Sequence, residues 1–135
     1  RSGSAKLIRA QASAMTDTDY PSITICSSTS HDALAAEMGL DLSKVRWRGN
    51  LWIDDLKPWE EMEWVGKIVQ IGNIQFDIVE PVQRCIATTA NPETGVRDAD
   101  TLGALQARGH QNFSVYAVAK NNGTLSLGDK LTLID

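Results

Sequence analysis

KIVQIGNIQFDIVE, residues Lys67–Glu80, is the stretch on which the fold turns. Two runs rich in β-branched and aromatic residues flank Gly72 and Asn73. A two-residue connection is the tightest hairpin length, and Gly and Asn are the residue types that supply its positive φ. The segment therefore reads as two antiparallel strands, Lys67–Ile71 and Ile74–Glu80. Working outward, the same periodicity between turn residues predicts strands at Lys6–Ala10, Ile23–Ser27, Val45–Ile53, Arg84–Thr88, Ser114–Lys120 and Lys130–Ile134. Asn121, Asn122 and Gly123 form a second turn. A chain of short strands with regular turns predicts a mostly β fold, a barrel or a sandwich.

Two segments break the pattern. In SSTSHDALAAEMG, Thr29 or Ser30 can cap free amides, Leu34 and Met38 share a face, and Gly39 supplies a left-handed stop, which predicts a helix of about two turns. In DADTLGALQARG, Asp98 or Asp100 can cap, Leu102 and Leu105 share a face, and Gly103 shortens the helix. No repeat, low-complexity segment or linker interrupts residues 6–135, which read as one domain. The opening RSGSA, residues 1–5, reads as an appended or cut domain edge, without a starting Met or the apolar stretch of a secretory signal.

Composition narrows the function classes. The chain is 42% hydrophobic and 22% charged, as expected of a globular domain, and it contains no apolar run of membrane-spanning length. A net charge of −4 argues against a general nucleic-acid binder. Cys26 and Cys85 carry no secretory context, so both are expected as free thiols in the cytosol, and the sequons at Asn112 and Asn122 are expected to be silent.

Chemistry concentrates in two stretches. Read as a strand, Val45–Asn50 would turn Arg46, Arg48 and Asn50 to one face, a pair of guanidiniums and an amide suited to a phosphate-like anion. Arginines deterring pairing at an exposed edge strand explain the pattern equally well. RCIATTANPETG, Arg84–Gly95, places Cys85 before Thr88, Thr89, Asn91 and Thr94, hydroxyls and an amide in a turn-forming loop of a kind that can hold an anion. Spacing alone leaves Cys85 as a small core residue or as a reactive thiol. Cys26, in SITIC, reads as core. Cys26, His31, Cys85 and His110 lack the clustered spacing of a zinc site, and a Cys85–His110 hydrolase pair lacks an acyl-transfer signature. The acidic set Asp54, Asp55, Glu60, Glu61 and Glu63 reads as a solvated loop around Pro58.

In order along the chain, VRWRGNLWIDD (45–55), PWEEMEWVGKIVQIG (58–72), RCIATTANPETGV (84–96) and NFSVYAVAKNNGTLSLGD (112–129) resemble the MOSC domain, the C-terminal domain of molybdenum-cofactor sulfurase. Relatives in that family include the mitochondrial amidoxime-reducing component and bacterial reductases of N-hydroxylated bases, and this branch is the one the chain most resembles. The resemblance implies a mostly β barrel of the pyruvate-kinase-barrel type, with two short helices, that binds the molybdenum cofactor. It implies that Cys85 ligates molybdenum, and that Arg46, Arg48 and Asn50 contact the pterin phosphate region. Arg84, Thr88 and Thr89 match residues framing the ligand, with Asn91 and Thr94 completing the loop, and Tyr116 matches the tyrosine of an FGxY segment. An acidic residue before the early strand, Asp17 or Asp19, matches one near the metal in relatives. Trp47, Gly49 and Ser114 stand where the family has Phe, Pro and Gly.

The same resemblance implies partners. A reductase would need an N-terminal barrel and an electron donor of the ferredoxin, flavin reductase or cytochrome b5 type. A sulfurase would need a pyridoxal-phosphate desulfurase domain, for which no Schiff-base lysine context is visible here. The alternative function is a sulfur carrier accepting a persulfide on Cys85, and a third is a barrel serving protein interaction only.

Overall fold

The computed structural model describes residues 5–10, 22–91 and 93–134. The strands are β1 (Lys6–Ala10), β2 (Ile23–Ser27), β3 (Leu51–Asp54), β4 (Ile68–Ile71), β5 (Ile74–Gln83), β6 (Asn112–Ala119) and β7 (Leu131–Leu133). They form one seven-stranded sheet in the order β1-β3-β2-β6-β5-β4-β7, antiparallel except for β2 beside β3. The sheet curls almost shut. At the seam Leu7 N–H donates to Asp129 O at 2.8 Å, Gly128 N–H to Leu7 O at 2.7 Å, and Leu131 N–H to Ala5 O at 2.9 Å. Closure removes the exposed edges that an open sheet would leave. The expected barrel is the observed fold.

The opening hairpin is present as read, with Gln70 opposite Gln75 and Ile71 opposite Ile74 across the turn. Gly72 takes φ +59 there, a conformation that disfavours a β-carbon. Inward side chains of Leu7, Ile25, Ile53, Val69, Ile71, Phe76, Ile78, Val115 and Leu131 fill the barrel. A second cluster of Cys26, Leu34, Trp47, Trp52, Leu105 and Phe113 lies beneath the two helices.

Helix α1 (Ser28–Met38) runs eleven residues, longer than predicted, because Ser27 rather than Thr29 or Ser30 caps it and accepts from Ser30 N–H. Gly39 ends it at φ +67, as expected. Helix α2 (Thr101–Gln106) starts at the Asp100 cap, whose carboxylate accepts from Gly103 N–H at 2.9 Å. Among the described residues no helix is long and apolar enough to cross a membrane.

Two predicted strands are corrected. Val45–Ile53 is not continuous: Lys44–Trp47 forms a 3₁₀ turn, Arg48 closes it in a left-handed conformation at φ +54, and the strand begins at Leu51. The buried indole of Trp47 and buried Arg46 pull consecutive residues inward, which a flat strand cannot do. Arg84–Thr88 is likewise no strand. β5 continues through Pro81 to Gln83, and Ile86–Thr89 then forms a 3₁₀ turn.

Gly49 shows how tightly the corrected segment packs. A β-carbon there would overlap the Cys26 sulfur and approach Trp52 Nε1 to 3.2 Å. Gly49→Ala is expected to destabilise the fold by about 1–3 kcal/mol, the usual overpacking cost. Cys26→Ala in the same chain should recover part of it, read from denaturant melts of the double-mutant cycle.

Candidate functional site

Arg84 organises this end of the barrel. Its guanidinium donates to Phe113 O at 3.0 Å, Trp47 O at 2.7 Å and Ser114 Oγ at 2.6 Å. It also lies over the faces of Trp47 and Phe113, two rings stacked with centroids 4.1 Å apart. Every nitrogen of this fork is hydrogen-bonded within the protein, so half-buried Arg84 ties the 3₁₀ turn of Trp47 to β6. Ser114 sits at φ +70, unusual for a residue with a β-carbon, and its hydroxyl is held by Arg84.

With Arg84 drawn inward, the next residue faces out: Cys85 is an exposed free thiol. Cys26 is the opposite case, fully buried, and burial pushes its thiol up to about 11 against the pull of Arg84 and hydrogen bonds from Ser114 and Thr24. Cys26 is core, as expected, and at neutral pH it holds its proton.

The Ile86–Thr89 turn packs on the Lys44–Trp47 turn. Arg46, its side chain only 3% exposed, joins them, donating to Thr88 O at 3.1 Å and to Asp98 Oδ1 at 3.3 Å, while its buried Nε has no partner among the described residues. Asn50 is buried in the sheet, its Oδ1 accepting Thr24 N–H at 2.8 Å and the Thr24 hydroxyl at 3.2 Å. The expectation of a single anion-facing row is therefore corrected. Arg46 and Asn50 turn inward, and Arg48 alone is exposed, its guanidinium unpaired among the described residues. The physical reason is the left-handed φ at Arg48, which rotates the chain between the three positions.

The threonine-rich loop is internally satisfied. Thr88 Oγ1 donates to Cys85 O at 3.0 Å and shares a hydrogen bond with Thr101 Oγ1 at 2.9 Å, fixing the backbone that carries the thiol. Asn91 donates to Asp98 and accepts Glu93 N–H, Thr94 Oγ1 accepts Val96 N–H, and Gly95 N–H closes on Asn91 O. Thr89 is buried and its carbonyl accepts the amides of Asp98 and Ala99. Thr88, Asn91 and Thr94 thus position the loop with side chains occupied inside it. Tyr116 is half-buried on β6, opposite Thr24 and near enough to influence Arg84 electrostatically. Asp17 and Asp19 lie outside the described residues.

His31 is a satisfied core histidine. Its Nε2 meets Leu42 O at 2.9 Å and its Nδ1 accepts Trp47 Nε1–H at 2.8 Å, while burial holds its pKa below the ordinary value.

Glu61 corrects the reading of the acidic set as solvated. It is fully buried in the 3₁₀ turn Glu60–Trp64, and its Oε2 has no partner among the described residues. Its Oε1 accepts the Ser30 hydroxyl at 2.9 Å, and Ser30 Oγ in turn accepts Trp59 N–H at 2.7 Å, at a residue with φ +67. Burial pushes the carboxyl up from 4.5 to about 7, with Glu60 adding to the rise. A raised acid pKa means the folded state holds a proton that the unfolded chain has lost. The associated stability is complete below about pH 4.5 and disappears as pH climbs to about 7. At about 1.4 kcal/mol per pH unit, the loss amounts to about 3 kcal/mol. Glu61→Gln should remove this slope, read as the difference between the two chains' urea midpoints from pH 4 to pH 8. Parallel curves would show that Glu61 does not titrate in this window. No pattern in EEMEW separates the buried Glu61 from its exposed neighbour Glu63; only tertiary contact does.

Comparison with known proteins agrees with this geometry. A sequence profile of the MOSC domain matches residues 15–132. The molybdenum cofactor sulfurases of Drosophila grimshawi and Drosophila melanogaster are each 33% identical, over 109 and 100 residues, covering 76% and 73% of this chain but only 14% and 12% of the relative. The chain thus spans about an eighth of the length of these curated relatives. YiiM from Geobacillus stearothermophilus superimposes with TM-score 0.61 at 17% identity, over 84% of this chain and 54% of that one. YiiM from Escherichia coli gives 0.59 at 14% identity, over 97% and 62%. The barrel, the exposed cysteine after the inward arginine, and the profile match agree: the chain belongs to the MOSC domain family.

Proposed function

We propose that this domain binds the molybdenum cofactor, with Cys85 as the protein ligand to the metal. The observation that carries the reading is the exposed Cys85 thiol on a backbone fixed by Arg84 and Thr88, beside turns that carry Arg46 and Arg48. The residues suit an anionic group. Arg48 is an exposed cation, the buried Nε of Arg46 lacks an acceptor, and thiolate is a soft donor suited to a transition metal. Arg48 would meet the phosphate, while Asn50, Arg84, Thr88, Thr89, Asn91 and Thr94 hold the frame and Tyr116 borders it. When bound, the cofactor supplies two-electron redox chemistry, here the reduction of N-hydroxylated substrates. The chain's own residues bind and orient it. An N-terminal barrel and an electron-donor protein would complete such a reductase.

A second reading, sulfur delivery, is favoured by the names of the relatives, which are molybdenum cofactor sulfurases. Cys85 would then accept a persulfide from a pyridoxal-phosphate desulfurase domain and pass the sulfur on. One experiment separates the two: full-length protein from a cofactor-producing host is assayed for bound molybdenum and, after incubation with a cysteine desulfurase and cysteine, for an adduct of about 32 Da on the Cys85 peptide. Stoichiometric metal supports the ligand reading and the adduct without metal supports the carrier. Finding neither would leave a barrel of the interaction type.

A further inference from the structure

At the strand end just before Cys85 lies an open cleft of about 330 Å³ lined by Gln83, Gln106, Gly109, His110, Gln111 and Asn112. None of these side chains is a fixed charge. Its back wall is the strand end that leads to the cysteine: Arg84 N–H donates to Gln111 O at 2.7 Å, and Gln111 Nε2 returns a hydrogen bond to Arg84 O at 3.2 Å. Gln83 and Cys85 are both exposed, on either side of the inward Arg84.

The polar groups of the cleft are partly committed and partly free. Gln111 is fixed by Arg84 O and by Gln106, whose amide nitrogen donates to Gln111 Oε1 at 3.3 Å. That leaves the Gln106 carbonyl, the Gln83 amide and His110 Nε2 without hydrogen-bond partners among the described residues, while the His110 ring stands in a T-shaped contact with Trp59, centroids 6.2 Å apart. His110 Nδ1 accepts Asn112 N–H at 3.0 Å, so the ring proton sits on Nε2, a donor. Burial and nearby Arg108 lower the pKa of this imidazole and favour its neutral form. Arg108 itself is drawn away, paired with Glu37 at 2.6 Å and lying 4.2 Å over the Trp59 ring. An uncharged recess with donors and acceptors suits an uncharged planar group that offers both, because a carboxylate would lose water without gaining a cation.

We propose that this cleft is a binding recess for neutral carboxamide- or urea-type groups, holding them at the strand end that carries Cys85. The inference rests on Cys85 being the reacting thiol and holds whether that thiol binds metal or carries sulfur.

Iodoacetamide provides the test, since the Cys85 thiolate attacks its methylene carbon, the carbon–sulfur bond forms, iodide leaves and the thiol proton passes to buffer. Labelling of the Cys85 peptide in the full-length protein is followed by mass spectrometry with benzamide or benzoate present. Benzamide, a ligand of about millimolar affinity at this size, should slow labelling several-fold and saturably, whereas benzoate should not. Gln83→Leu and His110→Leu should each abolish the protection while melting near the wild-type temperature. Failure of benzamide to protect, equal protection by benzoate, or protection retained in both variants overturns the recess. Metal and persulfide measurements on the same Gln83→Leu protein keep the outcomes apart. Lost protection with those retained is expected of the recess, and their absence from the wild type removes only the earlier reading of the site.

Discussion

Cys85→Ser is expected to abolish function while leaving the barrel intact. The side chain is exposed and makes no hydrogen bond among the described residues, so removing its sulfur should change stability by less than about 0.5 kcal/mol. Serine is a harder, far less acidic donor that neither holds a soft metal nor carries a persulfide. Molybdenum retention should fall at least tenfold, the scale seen even when residues behind a ligand are removed, and the persulfide adduct should vanish. Metal analysis and mass spectrometry read the two losses, and thermal melts read the unchanged fold. Cys26→Ser supplies the reciprocal pattern. Placing a hydroxyl in the fully buried cluster should lower the melting temperature while metal and adduct persist. A Cys85→Ser protein with full molybdenum and activity would mean that the thiol is not the ligand.

Arg84→Met should strongly destabilise the domain. The substitution leaves Phe113 O, Trp47 O and Ser114 Oγ without their donor, and removes a cation from over the stacked Trp47 and Phe113 rings. At about 1–3 kcal/mol for each buried group left unpaired, the total is on the order of 4 kcal/mol. Against a stability of about 5–15 kcal/mol, that would lower the melting temperature by about 10 °C or more. Arg84→Lys should rescue little, because one ammonium cannot span three acceptors held in the geometry of a planar fork. Circular dichroism melts check both variants, and a lysine variant within about 1 kcal/mol of wild type would contradict this role. The arginine beside the cysteine therefore acts chiefly as a strut. It holds the backbone immediately before the exposed Cys85.

Much of this was legible in the chain itself. The Gly72-Asn73 hairpin, the strands around it, the Gly39 stop and the Asp100 cap are local features, set by φ preference and near-neighbour hydrogen bonds that each residue type carries with it. The motif around Cys85 and the order of the surrounding segments were equally readable, and the profile match to the MOSC domain agrees with them.

The direction of individual side chains was not legible. Alternation along Val45–Asn50 promised three polar groups on one face, yet Trp47 and Arg46 both turn inward and, of the three polar groups, only Arg48 reaches solvent. Period-2 reasoning holds only while the backbone stays extended, and burial of a large indole outweighs that preference. Glu61 failed for the same kind of reason: buried and exposed glutamates look alike in EEMEW until Ser30, 31 residues away, supplies the hydrogen bond. Backbone propensity is short-ranged and can be read from neighbours. Burial and hydrogen-bond partnership join residues far apart in the chain, so which cysteine meets solvent is settled only when the barrel closes.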